Sequence, residues 1–195
     1  MGCKAKFNMP NTMPTVLIPL AQGCEELETV TLIDLLRRAN IHVTTASLDD
    51  KPVTCARGTV ILADTTLAKI LLQDFDLLVL PGGLPGADNL NSDPRIHQLI
   101  DRLNIENKLI GAICAAPKVL LTNGILKDKK ATAYPASLNH LDTSNINLTD
   151  AAVEIDGNVI TSKGPGTAID FSLTLIELLL GREARIAVEK PLQRS

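Results

Sequence analysis

The sequence predicts an α/β protein: a mostly parallel sheet with helices on both faces and one small β-hairpin. Three observations carry this. Short, apolar, β-branched runs alternate along the chain with amphipathic helical stretches, the pattern of a parallel sheet covered on both sides. The turn residues that punctuate them sit where strands pass into helices. A chain of 195 residues is long enough to bury one core without staples. Residues 1–13, with Pro10 and Asn11, read as an irregular tail, and 14–195 as a single domain.

Thr15 to Leu20 reads as a first, buried strand, and Gln22-Gly23 as a turn. Glu25 to Ala39 reads as a helix, with acids in the first turn, apolar Leu27, Val30, Ile33 and Leu36, and Arg37-Arg38 in the last turn; Asn40 closes it. Ile41 to Ala46 is a second strand, and Val60 to Leu62 a short one after a turn at Gly58. Leu77 to Leu80 is a strand stopped by Pro81-Gly82-Gly83. Asp93-Pro94 starts a helix running to about Leu103, an N-cap followed by proline at the first helical position. Leu109 to Ile113 is a strand, and Ala115 to Leu121 a helix ended near Asn123-Gly124. Val153 to Thr161 reads as a hairpin around Asp156-Gly157. Thr167 caps a nearly all-apolar helix to Leu180, with Asp170 three residues on as a short capping box, and Gly181 ends it. In such sheets, sites lie at the carboxyl ends of the strands. Three loops leave strands there: 22–28, 81–86 and 114–117.

Composition excludes several classes. A formal net charge of −3 gives no basic footprint for nucleic acid, and four aromatic residues offer no base-stacking platform. No apolar run approaches the ~18 residues of a membrane span. The four cysteines, Cys3, Cys24, Cys55 and Cys114, show no CxxC spacing, so neither a zinc site nor a thioredoxin-like site is indicated. Without a secretory segment, free thiols and a cytoplasmic location are expected. Pro81 to Gly86 lacks the dinucleotide fingerprint, and no phosphate-loop lysine follows. No metal or cofactor is expected.

The candidate chemistry centres on Cys114. It sits at a strand-to-helix turn followed by two alanines, where free backbone N–H groups and the positive helix end favour a thiolate and small neighbours admit a substrate. The competing reading is a buried small hydrophobe. His42, His97 and His140 fall in a strand, a surface helix and a polar loop, so no Cys-His dyad is evident. Glu25 and Glu26 suit the helix dipole. Glu28, one turn further in, can point back to the strand ends, where an apolar crevice raises its pKa and lets it shuttle protons. Gly82 and Gly83 permit close backbone approach and an oxyanion site. Gly164-Pro165-Gly166 is a helix-entry turn that can border the same pocket.

Six segments together resemble the ThiJ/PfpI superfamily, and within it the branch of the parkinsonism-associated protein deglycase and the bacterial chaperone YajL. They are Gln22 to Glu28, Leu35 to Ala39, Thr54 to Gly58, Val79 to Gly83, Ala112 to Pro117 and Thr161 to Thr167, in the family's order along nearly the whole chain. The resemblance implies a flavodoxin-like three-layer sandwich and a homodimer. It implies an oxidation-sensitive nucleophile at Cys114, a protonated partner at Glu28, and oxyanion donors on Gly83 and Ala115. It places Arg57 near the pocket and the dimer contact, and Arg38 likewise. Two departures matter. Tyr134 stands where the branch best known from animals has a histidine by the pocket. Ala115 stands where the protease-like branch has a histidine after its cysteine, which argues against peptidase activity.

Three functions follow as expectations. The first is a cofactor-free cysteine enzyme acting on small α-oxoaldehydes, such as methylglyoxal, or on their glycated adducts, protecting against oxidative stress. The second is a redox-sensing chaperone with an oxidisable cysteine. The third is a small-molecule binding domain with an inert thiol.

Overall fold

The computed structural model describes residues 13–194; all but the last residue of the expected tail lies outside them. In chain order the elements are β1 (Thr15–Leu20), α1 (Glu26–Arg38), β2 (His42–Ser47), β3 (Val53–Thr54), β4 (Val60–Ile61), β5 (Thr65–Thr66), α2 (Leu67–Ile70), β6 (Leu77–Leu80), α3 (Gly86–Ser92), α4 (Pro94–Ile105), β7 (Leu109–Ile113), α5 (Pro117–Asn123), β8 (Lys130–Ala131), β9 (Asn147–Leu148), β10 (Val153–Asp156), β11 (Val159–Ser162), α6 (Ala168–Leu180) and α7 (Arg182–Glu189).

One seven-stranded sheet runs in the order β10-β11-β7-β6-β1-β2-β5. Every neighbouring pair is parallel except the β10–β11 hairpin. Its strands divide their side chains between two cores, as the pleat requires. Val16, Ile18 and Leu20 of β1 and Val79 of β6 point to one side, where Leu32, Leu36, Phe171 and Ile176 of α1 and α6 pack. Leu17, Leu78 and Leu80 point to the other, against Leu90, Leu99, Leu103 and Leu120 of α3, α4 and α5. The expected three layers are therefore present. Gly111 of β7 lets Phe171 lie on the sheet: a methyl group there would meet the ring at 3.0 Å.

Several details differ from the sequence reading. Val60–Ile61 forms a strand, but β4 pairs antiparallel with β3 outside the main sheet. The edge strand is β5, and α2 and α3 are additional short helices. The apolar face of α1 is turned: Leu27 and Val30 are 52% and 51% exposed, whereas Glu28, Thr29, Leu32, Leu35 and Leu36 are buried. Helical phase explains this, because burying Leu32, Leu35 and Leu36 together carries Glu28 inward at i−4 from Leu32 and Leu27 outward. Finally, Thr167 does not cap α6 with its side chain. Its hydroxyl serves the preceding 3-10 turn (Pro165–Thr167), donating to Gly164 O at 2.9 Å and lying 2.7 Å from Ser162 Oγ. The Asp93 cap on α4 is as expected, accepting from Arg95 N–H.

Candidate active site

The three loops predicted to converge do so. A methyl group on Gly83 would lie 2.4 Å from Glu25 N, and one on Gly86 2.5 Å from Cys24 N, so the 81–86 loop lies directly on the 22–28 loop. Gly83 has φ +89°, a conformation that glycine adopts freely.

Cys114 follows β7 with φ +63°, in the left-handed region that non-glycine residues rarely occupy. Its main chain is held from both sides: Cys114 N–H donates to Ser162 O at 2.9 Å, and Tyr134 N–H donates to Cys114 O at 2.8 Å. This is strain maintained by surrounding structure, as reactive elbows use it. The residue is 8% exposed. The helix after it starts at Pro117 rather than Ala115, because Ala115 and Ala116 form the turn itself.

Glu28 is fully buried and reaches the same point from α1. Its Oε2 accepts Gly82 N–H at 2.8 Å, while Oε1 is buried without a hydrogen-bond partner among the described residues. Burial pushes its carboxyl up to about 7, against the opposing pull of the Cys114 thiol and of Gly82 N–H. Burial and the adjacent Glu28 carboxylate push the Cys114 thiol up to about 12, although the N–H groups of Gly83 and Ala115 favour the thiolate. The thiolate expected from the helix end alone is thus opposed by the acid beside it. The two groups titrate as a pair. With one proton between the two groups, protonation of Glu28 removes the negative charge that opposes ionisation of the sulfur.

A cleft of about 370 Å³ opens over the sulfur, lined by Cys114, Gly83, Ala115, Arg57, Tyr134 and Pro165 among others. Gly82 lies beneath, between Glu28 and Cys114. Arg38 is not part of the cleft. It sits at the far end of α1, at the amino ends of the strands, and pairs with Asp34 at 2.7 Å. The sequence reading missed Leu84, Ala136 and Ser137 in the cleft wall. Ser137 Oγ is buried without a hydrogen-bond partner among the described residues, and Ala136 has φ +67°. Both lie in the irregular 132–146 segment, where periodicity carries no signal. His42 and His140 are exposed, and His97 Nε2 lies 2.8 Å from Asn91 O, so none joins the site. A larger groove of about 570 Å³ lies beside Leu20 and Leu48, but its charged pair, Asp93 and Arg95, is bonded to itself and carries no nucleophile. Among the described residues, no three His, Cys, Asp or Glu side chains gather as metal ligands. No helix there is long and apolar enough to cross a membrane.

A buried acid and a cysteine in left-handed backbone, meeting under two inward N–H groups at the strand ends of a parallel sheet, define a class of α/β proteins with one cysteine at the strand-to-helix turn. The chain belongs to the DJ-1/PfpI family, whose pattern matches residues 14–178. It is 43% identical over 177 residues to Protein DJ-1 homolog A of Arabidopsis thaliana, covering 90% of this chain but only 45% of that protein's length. It is 37% identical over 177 residues to glutathione-independent glyoxalase DJR-1.2 of Caenorhabditis elegans, covering 91% and 94% of the two chains. The crystal structure of Drosophila melanogaster DJ-1beta superposes with a TM-score of 0.90 at 40% identity, over 94% of this chain and all of that one.

Proposed function

We propose that the protein is a cofactor-free cysteine enzyme that converts small α-oxoaldehydes, or their adducts, to 2-hydroxy acids. The observation that carries this is the meeting of Glu28 and Cys114 under a cleft with free N–H donors. The glyoxalase name of the Caenorhabditis relative supports it. The sulfur adds to the aldehyde carbon of methylglyoxal, and the pair's shared proton passes to the new oxyanion, held meanwhile by Gly83 and Ala115 N–H. One such donor is typically worth ~3 kcal/mol in the transition state. Glu28, now a carboxylate, removes the proton from the former aldehyde carbon and returns it to the neighbouring carbon, while the adduct's hydroxyl proton passes to the neighbouring oxygen. The resulting thioester is hydrolysed by water, which frees lactate and restores the thiol.

Cys114→Ser and Glu28→Gln test this by lactate formation from methylglyoxal. Both should lose at least ~100-fold in kcat/KM. Turnover unchanged in both would refute the assignment.

A second reading is redox sensing. The unpaired Glu28 Oε1 and the two N–H groups suit oxygen atoms added to the sulfur. It predicts that mild peroxide adds oxygen to Cys114 alone, read by intact mass, and changes holdase activity while turnover is negligible. Under either reading the chain acts as a cytoplasmic homodimer, with exposed Leu27 and Val30 of α1 and the neighbouring Arg57 at the contact. Light scattering of Val30→Glu against the unmodified protein tests the dimer.

A further inference from the structure

A pair of sulfurs lies beside the cleft. Cys24 Sγ and Cys55 Sγ are 3.6 Å apart although 31 positions separate them in the chain. Cys24 is fully buried and Cys55 is 5% exposed. The main chain keeps them adjacent: Gly23 N–H donates to Thr54 O and Ala56 N–H to Cys24 O, each at 2.8 Å. A disulfide has its sulfurs about 2.05 Å apart, so these need to close by only about 1.5 Å. Neither sulfur takes part in the chemistry of Cys114.

We propose that Cys24 and Cys55 are a dithiol that hydroperoxides convert to an intrachain disulfide, fastening one wall of the cleft. The Cys55 sulfur, the one with access to solvent, attacks the peroxide O–O bond. It becomes a sulfenic acid, and water or an alcohol leaves. The Cys24 sulfur then displaces the sulfenic oxygen as a second water. Two thiols give up two electrons and two protons, and one peroxide is reduced. A dithiol reductant reverses the bond by exchange.

The surroundings choose the oxidant. Burial raises both thiols, and Cys24, Glu26 and Glu25 add to this at Cys55, which stands at about 12. Reaction is therefore slow at neutral pH, faster in mild alkali, and closed to bulky disulfides. The target wall carries Ala56 and Arg57. Hydrogen bonds from Arg57 N–H and Thr59 N–H to the Glu26 carboxylate hold it to the start of α1, and Cys55 packs in one core with Leu32 and Leu36. The disulfide adds a covalent tie to the loop just before α1.

The test uses the full chain carrying Cys3→Ser and Cys114→Ser, treated with excess hydrogen peroxide at mildly alkaline pH. The expected result is a mass loss of about 2 Da, one proteolytic product joining the peptides of Cys24 and Cys55, and a melting temperature raised by roughly 5–10 °C. Dithiothreitol should reverse all three, and Cys24→Ala in the same background should abolish them. Mapping the same link in the unmodified protein frees the test from the substitutions. Oxygen added separately to either sulfur, a link between two chains, or two thiols still open to alkylation under excess peroxide would overturn the proposal. No readout involves methylglyoxal, so the assignment of Cys114 stands or falls separately.

Discussion

Glu28 and Cys114 meet across the backbone of Gly82. A methyl group on Gly82 would lie 2.6 Å from Cys114 Cβ and 2.7 Å from Glu28 Oε2. Gly82→Ala should therefore force acid and sulfur apart. We expect a loss of about 1–3 kcal/mol in stability by urea unfolding, and a fall in kcat/KM on the order of 100-fold. Full activity in a stably folded Gly82→Ala would show that the separation does not matter.

Alkylation of Cys114 should follow the pair rather than a lone thiol. Loss of the first proton near 7 and of the second near 12 predicts two rises in iodoacetamide rate with pH. Glu28→Gln should leave a single step. Peptide-resolved mass spectrometry across the pH range reads both proteins.

Stability should fall as pH rises through the range of Glu28. Below about 4.5 the carboxyl is protonated in both folded and unfolded chains. Between about 4.5 and about 7 only the folded chain retains the proton, and above about 7 the loss is complete. The window corresponds to roughly 3 kcal/mol. Glu28→Gln removes this dependence, so its stability relative to the unmodified protein should improve between pH 5 and pH 8 by about that amount. Denaturant curves at the two pH values would detect its absence.

Arg57→Ala should separate binding from folding. The link from residue 57 to Glu26 comes from its main-chain N–H, which alanine keeps. We expect a stability change within about 0.5 kcal/mol and a KM increased several-fold with kcat little changed. An equal drop in kcat would place the guanidinium in the chemical step instead.

Phe171→Ala should be among the costliest substitutions outside the cleft. The ring is fully buried against Gly111. Truncation should cost about 3–5 kcal/mol by thermal or urea unfolding, with little effect on KM at temperatures where the variant is folded.

Apart from β5, the parallel strands were legible because each is a short apolar or β-branched run ended by a recognisable turn. Cys114 was legible for the same reason: it follows a strand and precedes two alanines and a proline. Glu28 could be read from its place one turn into α1, but the face of that helix could not. Leu27 and Val30 have the spacing of a core stripe, and only the packing of Leu32, Leu35 and Leu36 decides which stripe turns inward. Arg38 was expected at the pocket or the dimer contact because its segment matches the family; its distance along α1 puts it away from the cleft, at the other end of the sheet. Ser137 and Ala136 were invisible for a different reason. Their position depends on how an irregular segment folds back over β7, which no local pattern encodes.

The two clamps on Cys114, from Ser162 and from Tyr134, have an evolutionary consequence. The Cys114 sulfur is placed by strands and by main-chain bonds, which do not depend on the side chains at 162 and 134. The wall at Tyr134 and Ser137 belongs to a segment outside the sheet. Substitutions can thus accumulate in that wall among descendants, while the backbone that places Cys114 is inherited intact.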